Sequence, residues 1–326
     1  MSYSSVQGQA EALAFLQEAM RRGRIPSAYL FLGPHHVGKR TAALTLAKAL
    51  NCAVAQDDSC DRCPSCRKID ENVHPDVETV RPDGQFIKIG QVREVGEHLG
   101  LIPFEARKRV VILARAERMN PQAANAFLKT LEEPPYDTLI VLCANQAARL
   151  PETIVSRCVP VRFRLLPTQT TRELLEKAGD LDADTLDFAV RFAQGRLRPE
   201  LLGKAAHWMK LRDDMIHCLT ELQRPIFPQL SESVARWSAS EDWRFVLEWL
   251  ETWFRDLALL GAGAPEARLI NGDRLDPLRT CGRWFTSERA EHCHRQVLAT
   301  RDALLINANK TLALEALWLG FKHATL

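Results

Sequence analysis

No uninterrupted apolar run in this sequence approaches the roughly 20 residues that a membrane-crossing helix needs. The first residues, Met1-Ser2-Tyr3-Ser4-Ser5, contain neither the basic nor the apolar stretch of an export signal, so a cytoplasmic protein is expected. Neither sign of charge dominates. Lys and Arg number 43 against 41 Asp and Glu, a net charge of +2, which argues against a strongly basic nucleic-acid binder. Internal repeats and low-complexity tracts are lacking too. What remains is ordinary soluble composition, 46% hydrophobic and 26% charged, on a chain of 326 residues that can build two or three domains. Nine cysteines in a cytoplasmic protein argue against a disulfide framework and make clustered cysteines candidates for metal binding.

Two further absences are chemical. Gly33-Pro34-His35-His36-Val37-Gly38-Lys39 has the form of a phosphate-binding loop. Its glycines, Gly33 and Gly38, let backbone N–H groups close around phosphate oxygens, and Lys39 would reach the β- and γ-phosphates. Such loops continue with a Ser or Thr whose hydroxyl holds Mg²⁺. Here Arg40 stands in that place, and Thr41 comes one residue too late. The second lack follows Arg109-Val110-Val111-Ile112-Leu113. An active ATPase ends this strand in an Asp, usually followed by Glu, to hold the metal and orient water. This chain has Ala114-Arg115, and Glu117 further on reads as a solvated helix-start residue. Loop hydroxyl, metal-associated Asp and water-orienting Glu are all missing, so hydrolysis is not expected. The backbone nest and Lys39 retain the parts to hold phosphate without metal, with Arg40 and Arg115 as substitute charges. Stable ATP or ADP occupancy is nevertheless not expected.

Strand and helix signals alternate through the first half. Tyr29–Leu32 reads as a buried strand entering the loop, and a helix follows over Ala42–Leu50. Arg109–Leu113 is a second strand, and Gln122–Leu131 a helix started by Pro121 and stopped by Pro134-Pro135. Leu139–Leu142 and Val159–Phe163 complete the strands. This alternation predicts a parallel sheet with helices on both faces. Strand signals end at Leu166-Pro167. The expected organisation is an α/β domain over 1–166, a small helical domain over 167–207 with a break at Gly195 and Pro199, and a helical domain over 208–326. In the last, Trp243, Leu247, Leu250, Phe254 and Leu257 form one apolar stripe, and Leu304, Leu305, Ala308, Leu312 and Leu319 suggest another on a final helix. Such stripes fit either an intramolecular core or an oligomer seam. Gly261–Asp276 reads as a loop.

Cys52, Cys60, Cys63 and Cys66 combine two overlapping C-x-x-C steps with a fourth thiol, the pattern of a closed tetrahedral Zn²⁺ site. With no position left for water or substrate, the metal would be structural, stapling a polar excursion that cannot fold alone. A redox dithiol is the competing reading. His74 is an alternative ligand, although before Pro75 it reads as a surface histidine. Cys143, Cys158, Cys218, Cys281 and Cys293 lack ligand spacing and read as small buried side chains.

Asn125-Ala126-Phe127-Leu128-Lys129-Thr130-Leu131-Glu132-Glu133-Pro134-Pro135 and Ser156-Arg157-Cys158 resemble signatures of the bacterial clamp-loader AAA+ proteins of DNA polymerase III. Val6-Gln7-Gly8-Gln9, Ala28-Tyr29-Leu30-Phe31 and the four cysteines strengthen the likeness. It is dense over the first half and loose beyond. The resemblance implies a P-loop sheet domain, a helical lid and a C-terminal helical collar that joins five subunits into a ring. It also implies gamma/tau and delta subunits as partners, with the beta sliding clamp and primer–template DNA engaged through the complex. The family includes ATP-hydrolysing gamma/tau motors and a non-hydrolysing subunit, and the missing hydroxyl and acids place this chain with the latter. By the same resemblance Arg157 points in trans into the ATP site of an adjacent subunit. Arg198 resembles the sensor arginine of the lid, and Asn145 falls near the first sensor position. Glu315-Ala316-Leu317-Trp318-Leu319 resembles the closing collar helix.

Two other classes compete. A gamma/tau-type motor is opposed by Arg40, Ala114 and Arg115, and the long extension of the tau form is lacking. A zinc-dependent DNA-binding protein predicts direct, steeply salt-dependent DNA binding, which the near-neutral charge disfavours. The basic run Arg107-Lys108-Arg109 reads as a solvated loop, and no DNA-contacting residue is assigned.

Overall fold

The computed structural model describes residues 2–55, 57–223 and 227–325. The chain divides into two compact units, Met1–Thr171 with Gly195–Leu197 and Arg172–Gln194 with Arg198–Leu326. Among the described residues no helix is long and apolar enough to cross a membrane.

The first unit runs α1 (Ala10–Arg21), β1 (Ala28–Leu32), α2 (Lys39–Asn51), α3 (Pro64–Asp70), β2 (Val77–Val80), α4 (Ile89–Leu99), β3 (Arg109–Ala114), α5 (Pro121–Glu132), β4 (Thr138–Ala144), α6 (Glu152–Val155) and β5 (Val159–Arg162). The strands form one sheet in the order β2-β3-β4-β1-β5, all parallel, with Leu30 opposite Leu142 and Val111 opposite Ile140. The expected α/β architecture is thus present. Because strand side chains alternate between faces, each buried strand feeds two cores. Tyr29, Phe31, Val110, Ile112 and Val141 pack with α1 and α2 on one face. Leu30, Val111, Leu113, Ile140 and Leu142 pack with α4 and α5 on the other. The α5 start is set by Pro121 and by Asn120, whose side chain accepts from the Ala123 N–H at 2.8 Å.

Sequence reading missed β2 and α4. Glu78 and Thr79 of the four-residue β2 are only half-buried, and α4 carries Gly90 and Gly96 inside its amphipathic Val92, Val95, Leu99 face. Arg109 also departs from expectation. It is not a solvated loop residue but is 8% exposed, with its guanidinium 2.8 Å from the buried Asp76 carboxylate. It also donates to the backbone carbonyls of His98, Leu101 and Ile102. Asp76 in turn accepts from the N–H groups of Phe104, Glu105 and Ala106. Nearby, the Asn51 amide donates to the Lys108 carbonyl at 2.9 Å and accepts from the Lys108 N–H at 2.9 Å, joining the end of α2 to the start of β3.

Helices α7 (Thr168–Ala178), α8 (Ala183–Ala193), α9 (Glu200–Thr220), α10 (Phe227–Ala239), α11 (Trp243–Gly261), α12 (Leu275–Cys281), α13 (Ser287–Leu305) and α14 (Lys310–Ala324) follow. Helix α9 runs unbroken through positions 207 and 208. The α11 stripe is buried within the chain itself, and the Trp249 indole N–H donates to Asn271 at 2.9 Å. The second stripe is not one helix face. Helix α13 ends at Leu305, Asn307 turns the backbone left-handed (φ 70°), and Asn309 caps α14 by accepting from the Leu312 N–H. Leu305 and Leu312 are left 60% and 65% exposed, whereas Leu314, Leu317, Trp318 and Phe321 form the buried face of α14.

Candidate functional site

The phosphate loop joins β1 to the N-terminus of α2. Gly33 adopts φ 151°, and an added Cβ there would meet the Phe163 carbonyl oxygen at 2.2 Å. Gly38 turns into α2 with φ 94°, so both glycines are required by the backbone. The loop is tied from outside itself. Gln9 donates to the Val37 and Arg164 carbonyls at 3.1 and 2.7 Å and accepts from the Arg164 N–H, which gives the Val6–Gln9 motif its structural task. The Leu197 N–H donates to the His36 carbonyl at 2.8 Å. Lys39 is 8% exposed, and its ammonium donates to the loop's own Gly33 and Pro34 carbonyls at 2.6 and 2.5 Å. The lysine is thus turned onto the backbone of its own loop.

Arg40, standing at the hydroxyl position, donates to Asn72 at 2.9 Å. Past β3, Arg115 is exposed and left-handed (φ 59°). Glu117 corrects the expectation of a solvated residue. It sits in the single 3-10 turn Ala116–Arg118, its side chain 3% exposed and 3.7 Å from His35 of the loop. A glutamate in the polar run Ala-Arg-Ala-Glu-Arg carries no sign of burial. Only its place three residues past the strand, beside the loop, could have marked it. Burial lowers the proton affinity of His35 and of Lys39, and the negative charge of Glu117 acts against that in both.

Arg157 follows α6 through Ser156 and reaches the surface. Its guanidinium donates to the Thr153 carbonyl at 2.8 Å and to Glu132 at 2.6 Å. The Leu131-Glu132-Glu133-Pro134-Pro135 turn therefore orients the arginine, a role that sequence reading missed. Cys158 beside it is buried in the sheet core. Arg198 is held within the second unit. It pairs with Glu248 at 2.5 Å and lies 4.9 Å over the Phe192 ring. Asn145 is half-buried directly past β4.

Cys52, Cys60, Cys63 and Cys66 converge, their sulfurs all within 4.8 Å of one another. The Ala55, Cys63 and Cys66 N–H groups donate to the sulfurs of Cys52, Cys60 and Cys63 at 3.2, 3.3 and 3.5 Å. The N–H groups of Arg62 and Cys63 pull the Cys60 thiol down to about 6, while burial pushes Cys66 up to about 12. Four converging sulfurs with N–H donors suited to thiolates fit a metal ion. The excursion is also bound to α2 through buried Lys48, whose ammonium lies 2.5 Å from Asp61 and 2.6 Å from Asp70. His74 is not a surface residue but is 4% exposed, accepting from the Asp76 N–H and set 3.3 Å from Ser65 Oγ, apart from the thiols. The other five cysteines are buried as expected.

A family described as "DNA polymerase III, delta subunit" matches residues 8–167, and its C-terminal counterpart, "DNA polymerase III, delta subunit, C terminal", matches residues 206–323. DNA polymerase III subunit delta' of Pseudomonas aeruginosa is 30% identical over 316 residues, covering 91% of this chain and 92% of that protein. Subunit delta' of Bacillus subtilis is 36% identical over 167 residues, 51% of each, so the match spans about half the length of that relative. A gamma subunit-related protein of Thermotoga maritima shares the fold, with a TM-score of 0.51 and 19% identity over 97% of this chain and all of that one. Matched along nearly its whole length by a delta' subunit, the chain belongs to the delta' family of DNA polymerase III clamp-loader subunits, with the AAA+ fold.

Proposed function

We propose that this chain is a non-hydrolysing delta' subunit. In this reading it assembles with gamma/tau and delta subunits in the cytoplasm, helps load the beta sliding clamp onto primed DNA, and supplies Arg157 to the ATP site of a neighbouring subunit. The observation that carries the reading is the contrast at the two ends of its chemistry. Its own β3 ends at Ala114 and is followed by Arg115, with no acid at the two positions that would serve metal and water, while Arg157 stands at the surface, oriented by Glu132. A guanidinium added from outside stabilises charge on a transferring phosphoryl group and needs nothing from the donor's own loop. Residues 167–207 act as the lid and 208–326 as the collar in this proposal, with Arg198 a structural ion-pair residue.

Zinc held by Cys52, Cys60, Cys63 and Cys66 would close the excursion as a structural cross-link. The four sulfurs leave no vertex for a reactant. Stoichiometric zinc is expected on elemental analysis of the purified protein, and Cys63→Ser should lower it; zinc-free folded protein would remove this part of the proposal.

The main test reconstitutes the complex with gamma/tau, delta, clamp and primed DNA. Arg157→Ala is expected to leave assembly intact and to slow hydrolysis at one site by roughly 10³-fold or more. An unchanged single-site rate, or Mg²⁺-dependent phosphate release by the isolated chain, contradicts the proposal.

A further inference from the structure

Hydrolysis and nucleotide binding make different demands on a loop. Ala114 and Arg115 bear on the first, since a metal-associated Asp and a water-orienting Glu act on the reaction. They do not explain why a loop that keeps Gly33, Gly38 and Lys39 would refuse phosphate, because those groups hold anions by themselves. Glu117 supplies a cause. Its side chain is 3% exposed, one carboxylate oxygen lies 3.7 Å from His35 Nε2 in the loop, and the other is buried with no hydrogen-bond partner among the described residues. A buried carboxylate of this kind requires nearby positive charge. The loop's Lys39, whose ammonium donates to the Gly33 and Pro34 carbonyls, feels the charge of Glu117. The loop's cationic character, which would otherwise favour phosphate, is thereby answered from within the chain. An incoming polyphosphate would meet a like charge on a side chain itself 3% exposed, where solvent screens repulsion less than at the open surface.

We propose that Glu117 is the residue that closes the phosphate loop to nucleoside di- and triphosphates, acting as a built-in anion against the loop. This rests on the reading of the chain as a non-hydrolysing subunit and extends it from catalysis to ligand exclusion. It makes a prediction that a merely degenerate loop does not: removal of one charge, with no residue restored to the catalytic set, creates nucleotide binding.

The experiment titrates the full chain with ADP, and separately with inorganic pyrophosphate, by calorimetry. Wild type, Glu117→Gln, Glu117→Ala and the double variant Glu117→Gln with Lys39→Ala are compared. Circular dichroism and zinc content verify the fold of each. At least tenfold tighter ADP binding by both single variants than by wild type is expected, with the gain lost in the double variant. Equal affinity in wild type and a folded single variant overturns the proposal. So does a gain that survives loss of Lys39, since the ligand would then lie elsewhere. Pyrophosphate binding without ADP binding also overturns it, because the excluded class would not be nucleotides. The two readings fail separately: ADP affinity in the Glu117 variants does not depend on Arg157, and the rate effect of Arg157→Ala does not depend on Glu117.

Discussion

Arg109–Asp76 and Arg157–Glu132 are two arginine–carboxylate pairs in one α/β unit, with nitrogen–oxygen distances of 2.8 and 2.6 Å. By distance alone the second would be the stronger. Burial reverses the order. The side chains of Arg109 and Asp76 are 10% and 0% exposed, and those of Arg157 and Glu132 are 35% and 48%. In water, a pair such as the second is worth about 0–1 kcal/mol, because solvent competes for both charges and the side chains lose freedom. In the first pair neither charge has water to return to, so breaking it leaves the other stranded. The pair with the longer contact is therefore fixed framework. The pair with the shorter contact keeps a surface arginine in position without burying it, which is what the role proposed for Arg157 requires.

The largest effect expected from this comparison is on stability. Asp76→Asn should cost about 3–5 kcal/mol in denaturant unfolding, since it strands Arg109 and weakens the acceptor for three N–H groups. A cost below about 1 kcal/mol, the range of exposed pairs, would erase the distinction. The same pair has a pH signature. Burial acts to raise the proton affinity of Asp76, but the Glu105 N–H, the Arg109 guanidinium and the Phe104 and Ala106 N–H groups outweigh it and hold the carboxyl well below its usual range. A carboxylate with a depressed folded-state pKa contributes its full stability above the unfolded value of about 3.9 and loses it as pH falls toward the folded one. The stability gap between wild type and Asp76→Asn is thus expected to be constant near neutrality and to narrow below about pH 4. A gap that narrows at pH 6 would identify another group.

The smallest effect belongs to Glu132→Gln. It should change unfolding free energy by less than about 1 kcal/mol. In the reconstituted complex it should lower turnover by only a few fold, because Thr153 still holds one guanidinium nitrogen. If Glu132→Gln instead matched Arg157→Ala in its effect on rate, the carboxylate would be more than a rest for the arginine.

These pairs also show what a sequence can and cannot display. The strands Tyr29–Leu32, Arg109–Leu113 and Leu139–Leu142 were legible because burial on both faces demands continuous apolar side chains, and the α11 stripe because one face does. The phosphate loop and the four cysteines were legible because their chemistry fixes spacing. Burial of charge has no such spacing. Arg109 and Glu117 lie in polar runs that read as solvated, yet each meets a segment far away in sequence: Asp76 for one, the His35 loop for the other. The final stripe failed for a local reason. Asn307 and Asn309 end one helix and start the next, which breaks a periodicity that looked continuous.

The reciprocal amide contact between Asn51 and Lys108 limits what evolution or design can place at position 51. One side chain must give a proton to a carbonyl and take one from an N–H on the same backbone residue, as a neighbouring strand would. Aspartate could accept but would set a negative oxygen against the Lys108 carbonyl. Serine has both functions on one atom and is too short to span both, and leucine has neither. Since Cys52 is the next residue, this side chain acts as a one-residue splice between the four-cysteine excursion and the central sheet.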